Sequence, residues 1–250
     1  MLTVRIIPCL DIDNGKVVKG VRFKNLQVIG EPDKLARHYY LSGADELVFL
    51  DVSASIKGRR TMLEIVEKIS SQIFIPLTAG GGIKDLEDIR NLLLAGADKV
   101  SLCTSAVQNP SLIKEAAERF GSQCIVLSID AARIATGWEV FIYGGTTRSG
   151  LDAVRWAKTG EKLGAGEILL NSIDRDGTQS GYDLELVKAV SEAVNIPVIA
   201  SGGAGRLEHI YQVLSGGLAD AVLLASGLHY GQLSVPQVKN YLKEKGVIIR

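Results

Sequence analysis

Cysteine, tryptophan, methionine and histidine are all scarce: the 250 residues hold three, two, two and three of them. Cys9, Cys103 and Cys124 are odd in number and lie within apolar runs, so they read as buried reduced thiols rather than a disulfide framework or a metal set. Net charge is also lacking, since 28 Lys and Arg balance 28 Asp and Glu. That argues against a nucleic-acid partner, which favours a basic face. No stretch approaches the roughly 18 consecutive apolar residues of a membrane span, and the N-terminus lacks the anatomy of a signal peptide. A soluble, cytoplasmic protein without membrane or nucleic-acid partners is expected. The nucleotide fingerprint G-x-G-x-x-G does not follow the first apolar run, and nothing asks for a cofactor or a metal.

What the chain does have is alternation. Short apolar runs, RIIPCLD, ELVFLD, IPLTAG, DKVSLC, CIVLSID, EILLNS, IPVIAS and DAVLLA, alternate with helical patterns. Their nearly continuous hydrophobicity suits parallel strands covered on both faces. Between them lie segments such as DLEDIRNLLLAG, with apolar residues at spacings of three and four and Gly96 placed to end a helix. Eight strand–helix units in this length predict one α/β domain over residues 1–250, a (β/α)8 TIM barrel, with an open doubly wound sheet as the alternative.

The two halves, roughly 1–120 and 121–250, resemble each other. IIPCLDI aligns with IVLSIDA, setting Asp11 against Asp130; LTAGGG aligns with IASGGA, and KVSLCTSAV with AVLLASGL. A sustained offset of about 120 is a repeat, so a site in one half should have a counterpart in the other.

In such a barrel the chemistry belongs where the strands end. AGGGI, with Gly81 and Gly82, follows the third strand, and SGGAG, with Ser201, Gly202 and Gly203, follows the seventh. Neighbouring strands end in CTS (Cys103, Thr104) and ASG (Ala225, Ser226). Glycine lets backbone approach a ligand, and N–H groups at helix starts favour anions. Two such places on opposite sides of one mouth imply a long substrate with a phosphate at each end. Asp11 and Asp130 end the first and fifth strands, opposite each other, and can divide acid and base duties. Asp51, Asp174 and Asp176 also sit at strand ends and read as shaping loops or binding hydroxyls. DNGKVVKGVRFKNLQVIGEP reads as a hairpin-like flap from which Lys19 can reach the mouth. At the strand starts, Arg5, Glu46, Lys99 and Glu167 replace barrel-filling aliphatics. They fit either a salt-bridged plug or a polar gate on the barrel axis.

CLDIDNGKVVKG, DELVFLD, GGGI, GADKVS, SIDRDGTQSGYD and IASGGAG resemble the cyclase subunits of imidazole glycerol phosphate synthase, over essentially the whole chain. The resemblance implies a bisphosphate substrate, phosphoribulosyl formimino aminoimidazole carboxamide ribonucleotide. Ammonia closes its imidazole ring, releasing imidazole glycerol phosphate and aminoimidazole carboxamide ribonucleotide. It implies catalysis by Asp11 and Asp130, and substrate contacts from Lys19, the two glycine segments, Asn171, Asp176 and Gly177. It also implies a glutamine amidotransferase (glutaminase) partner on the strand-start face, with Asp98 at that interface. Ammonia then enters past a gate of Arg5, Glu46, Lys99 and Glu167. Cys103 stands where the family commonly has Asn, and Asn171 where it commonly has Thr. GLADAVLLASGL carries one residue more than the usual pattern. A paralogue acting on another substrate, such as a surface sugar, and the related sugar-amine isomerase of histidine synthesis stay open at this point. So does a barrel that only docks and activates a glutaminase.

Overall fold

The computed structural model describes residues 3–21, 24–57 and 61–250. The first half contains β1 (Arg5–Asp13), β2 (Lys16–Val21), β3 (Lys24–Gly30), α1 (Pro32–Leu41), β4 (Leu47–Asp51), α2 (Leu63–Ser70), β5 (Leu77–Gly80), α3 (Leu86–Leu94) and β6 (Lys99–Leu102). Then come α4 (Thr104–Gln108), α5 (Ser111–Phe120), β7 (Ile125–Ile134), β8 (Gly137–Ile142), β9 (Thr147–Asp152) and α6 (Ala153–Leu163). The chain ends with β10 (Glu167–Ser172), α7 (Leu184–Ser191), β11 (Val198–Ser201), α8 (Leu207–Leu214), β12 (Ala221–Leu224), α9 (Ser226–His229) and α10 (Val235–Glu244).

Eight strands form a closed parallel ring in the order β1, β4, β5, β6, β7, β10, β11, β12, with β12 pairing back to β1. The β7–β10 ladder runs from Glu167↔Val126 to Ser172↔Ala131, so no edge is left and the open-sheet alternative fails. The molecule is a (β/α)8 barrel. The strands after Pro76 and Pro197 begin later than their apolar runs, because proline brings no N–H to the ladder.

Two side-chain populations hold the ring. Outward residues such as Leu10, Phe49 and Leu102 pack beneath the helices, while Ile7, Cys9, Val48, Val126, Leu169 and Ile199 fill the barrel interior. The recurring Gly-Ala-Asp and Leu-Ala-Asp exits have a structural use. Asp45, Asp98 and Asp220 accept the backbone N–H of Ile6, Leu77 and Val198 at 2.8, 2.8 and 2.9 Å, tying each incoming strand to the start of its predecessor. Asp85 caps α3 by accepting from the N–H of Glu87 and Asp88, and Gly96 follows that helix at φ 99°, as its spacing predicts.

β1 and β7 do not stop at their aspartates. Each runs on into an antiparallel hairpin, with Ile12↔Val17 and Ala131↔Val140 in register. The first hairpin matches the expected flap, although Arg22 and Phe23 of KVVKGVRF lie outside the described residues. The second hairpin is not among the expected elements. All three cysteines are free thiols, but only Cys9 is buried; Cys103 at the mouth and Cys124 at a strand start are half-buried, which corrects the expectation for those two.

Candidate active site

One cavity occupies the end of the barrel where the parallel strands finish, and it gathers most of the residues expected at the strand ends. Asp11 and Asp130 face it from β1 and β7, which stand opposite each other in the ring. Gly81, Cys103 and Thr104 line one side; Ser201, Gly202, Gly203, Ala225 and Ser226 line the other; Lys19, Asn171, Asp176 and Gly177 also contribute. Gly82, the neighbour of Gly81 in AGGGI, is not among the residues that line it. Ser53, Ser55, Gly144, Thr146 and Gln179 do, although the sequence reading passes over them. The serines of DVSAS directly after a strand are a usable signal. The paired glycines of YGGTT are another, as a turn that the second hairpin brings back over the mouth.

The glycine segments are tight for backbone reasons. Gly81 has φ 92°, and a Cβ there would lie 2.1 Å from the Asp51 carbonyl oxygen; at Gly203, φ is 104° and a Cβ would lie 2.1 Å from that of Gly181. Both positions need positive φ and a bare Cα.

The two aspartates have different neighbours. Lys19 Nζ donates to Asp11 Oδ2 at 2.8 Å and to Asp176 Oδ1 at 3.0 Å, and all three side chains are buried. The Cys9 thiol donates to Asp11 Oδ1 at 3.3 Å. Burial by itself raises the Asp11 pKa, but the Lys19 ammonium outweighs it and holds the carboxyl below its ordinary value. Lys19 is likewise kept protonated, because Asp11 and Asp176 overcome its own burial. Asp130 has Asn171 Nδ2 at 3.0 Å and the Cys103 thiol at 3.8 Å. Burial, assisted by the charges of Asp176 and Asp11, pushes its carboxyl up to about 6 against the hydrogen bonds from Asn171 and Cys103. The hairpins contribute to the difference: β2 carries Lys19 back to Asp11, whereas the β8 residue paired with Asp130 is the apolar Phe141.

Asp174 shapes its loop as expected, accepting the Arg133 backbone N–H at 2.8 Å. Asp176 goes beyond that, because it shares Lys19 with Asp11.

At the opposite end of the barrel the four strand-start charges close into a ring. Arg5 bridges Glu46 at 2.9 Å and Glu167 at 2.6 Å, and Lys99 bridges the same two at 3.0 and 2.8 Å. Each carboxylate thus serves both cations. Burial would raise the Glu46 carboxyl, but Arg5 and Lys99 hold it below its usual range. Asp98 is exposed on this face. No helix of the described residues is long and apolar enough to cross a membrane.

Comparison with known proteins bears on the family. A family model described as "Histidine biosynthesis protein" matches residues 5–234. The chain is also 57% identical over 252 residues, covering all of both chains, to the imidazole glycerol phosphate synthase subunit HisF of Clostridium botulinum (strain Okra / Type B1). The chain therefore belongs to the histidine biosynthesis protein family, as an enzyme subunit of the HisF kind.

Proposed function

We propose that the chain is the cyclase subunit of an imidazole glycerol phosphate synthase, converting phosphoribulosyl formimino aminoimidazole carboxamide ribonucleotide and ammonia into imidazole glycerol phosphate and aminoimidazole carboxamide ribonucleotide. The observation that carries this reading is the pair of opposed aspartates in unlike environments, set between two glycine segments. A substrate with a phosphate at each end spans the mouth with its reacting atoms between the carboxylates. Asp11, ionised beside Lys19, takes a proton from the incoming nitrogen. Asp130, with a pKa of about 6, carries a proton to give to a departing oxygen or nitrogen. Lys19, held by Asp11 and Asp176, brings the flap over the site.

Ammonia comes from a glutaminase docked on the strand-start face. Exposed Leu41, Phe74, Leu94 and Ile248 supply apolar contact around the charged ring there, with Asp98 among them. The ring of Arg5, Glu46, Lys99 and Glu167 acts as the gate. Above it, Thr78, Ser101 and Ser128 on three neighbouring strands form a hydroxyl stripe facing an otherwise apolar interior, and Ser101 Oγ is buried without a partner among the described residues. Such a stripe offers hydrogen bonds to a small neutral amine on its way to the site.

The test supplies the bisphosphate substrate with ammonium salts and assays imidazole glycerol phosphate. Its formation, lost in Asp11→Asn and in Asp130→Asn, is expected. No product from the unaltered chain, or full turnover in either variant, rejects the reading.

A further inference from the structure

Asn171 stands on β10 directly beside Asp130 of β7 and directly beside Ser201 of β11, as register partner to both. Its amide is used on both sides. Nδ2 donates to Asp130 Oδ1 at 3.0 Å, and Oδ1 accepts from Ser201 Oγ at 3.0 Å. Asn171 is buried, whereas Asp130 and Ser201 are half-buried at the cavity wall. An ionised carboxylate only accepts, so Asp130 settles which way the amide points, and the Ser201 hydroxyl, able to donate or accept, completes the arrangement by donating. Gly202 leaves room for it: a Cβ there would lie 3.1 Å from Asn171 Oδ1, so a bare Cα keeps the amide oxygen free of crowding.

Asp130 depends on this contact more than Asp11 depends on any neutral group. Among the described residues the side-chain donors to Asp130 are Asn171 and Cys103, with no lysine, and its partner on β8 is the apolar Phe141. A thiol at 3.8 Å is a weak donor. A hydrogen bond from an amide to a carboxylate favours the ionised form and fixes where the carboxyl points.

We propose that Asn171 is the positioning residue for Asp130, orienting its carboxyl through one amide N–H, while the Ser201 hydroxyl holds the amide and links it to the second glycine segment. This rests on the reading of Asp130 as the group that carries a proton in the reaction. Ser201 has one hydroxyl proton. An anion seated on Gly202 and Gly203 that draws that proton takes it from Asn171, so occupancy of this segment loosens the amide and raises the proton affinity of Asp130.

The experiment follows the carboxyl itself and needs no turnover. In substrate-free protein labelled with 13C at the aspartate carboxyls, the Asp130 resonance is assigned by its disappearance in Asp130→Asn and titrated by NMR. Asn171→Leu should raise its midpoint by about one unit, a tenfold gain in proton affinity. Asn171→Ala should do the same and carries the test if the leucine variant does not fold. Asn171→Thr, which restores a hydroxyl donor, should return the midpoint toward the original value. Saturating inorganic phosphate should raise the midpoint in the unaltered protein but not in Ser201→Ala. An unchanged midpoint in both Asn171→Leu and Asn171→Ala overturns the proposal, whatever the outcome of the ammonium assay. In that assay the same variants should lose kcat with KM nearly unchanged; a rise in KM alone makes Asn171 a substrate contact instead and also overturns it.

Discussion

Lys19 places its Nζ 2.8 Å from Asp11 Oδ2, whereas Asp130 is paired with the apolar Phe141 of β8 and takes its side-chain hydrogen bonds from Asn171 and Cys103. That difference in neighbours separates the two carboxyls. One is paired and stays ionised; the other stands half-buried at the cavity wall beside an amide and a thiol and holds its proton toward neutrality.

Removing the ammonium should therefore be costly. Lys19→Met leaves Asp11 and Asp176 buried and facing each other, and should destabilise the fold by about 3–5 kcal/mol in urea denaturation. The double variant Lys19→Met/Asp11→Asn should recover part of that loss. A single variant as stable as the unaltered chain shows that the buried pair is not the determinant.

Asp130 makes the opposite contribution with pH. Its folded pKa of about 6 lies above its ordinary 3.8, so its stabilising effect is full below pH 4 and is lost as the pH rises to 6. At pH 8 the ionised, half-buried carboxyl costs up to about 3 kcal/mol. Asp130→Asn should accordingly be more stable than the unaltered chain at pH 8 and equal to it near pH 4, while lacking turnover. Thermal unfolding at the two pH values measures this; an unchanged difference between them refutes it.

The strand-start ring links two cations to two anions, so Lys99→Met leaves Arg5 as the one cation bridging Glu46 and Glu167 among the described residues, with Arg250 3.8 Å from Glu46 alone. With a glutaminase partner present, glutamine-dependent turnover should fall about tenfold or more, and turnover with free ammonium far less. Equal losses under both conditions remove the gate role and leave a structural plug.

Backbone geometry predicts which glycines matter. Gly203→Ala forces a Cβ against the Gly181 carbonyl at positive φ and should cost about 1–3 kcal/mol in stability. It should also weaken binding of inorganic phosphate. Gly217→Ala shares the positive φ but meets open space, and should cost about 1 kcal/mol with phosphate binding intact. Calorimetry on both variants separates strain alone from strain plus lost binding.

The amino-acid sequence by itself determines the barrel. Alternating apolar runs and helical spacing specify it, because parallel strands covered on both faces must be apolar throughout while their helices need only one apolar stripe. The offset of about 120 residues pairs Asp11 with Asp130 and the two glycine segments, because equivalent half-barrels put equivalent residues at the same height. The charged strand starts announce themselves as charges where aliphatics belong.

What the tertiary structure decides is proximity. The second hairpin escapes the sequence pattern because its alternation is short and partly polar, and only the continuation of β7 past Asp130 brings Gly144 and Thr146 to the cavity. Which carboxyl keeps its proton depends on contacts spanning distant parts of the chain: Lys19 with Asp176, and Asn171 with Asp130 and Ser201. A pKa answers to burial and to charges within a few ångströms, and those distances exist only once the ring has closed.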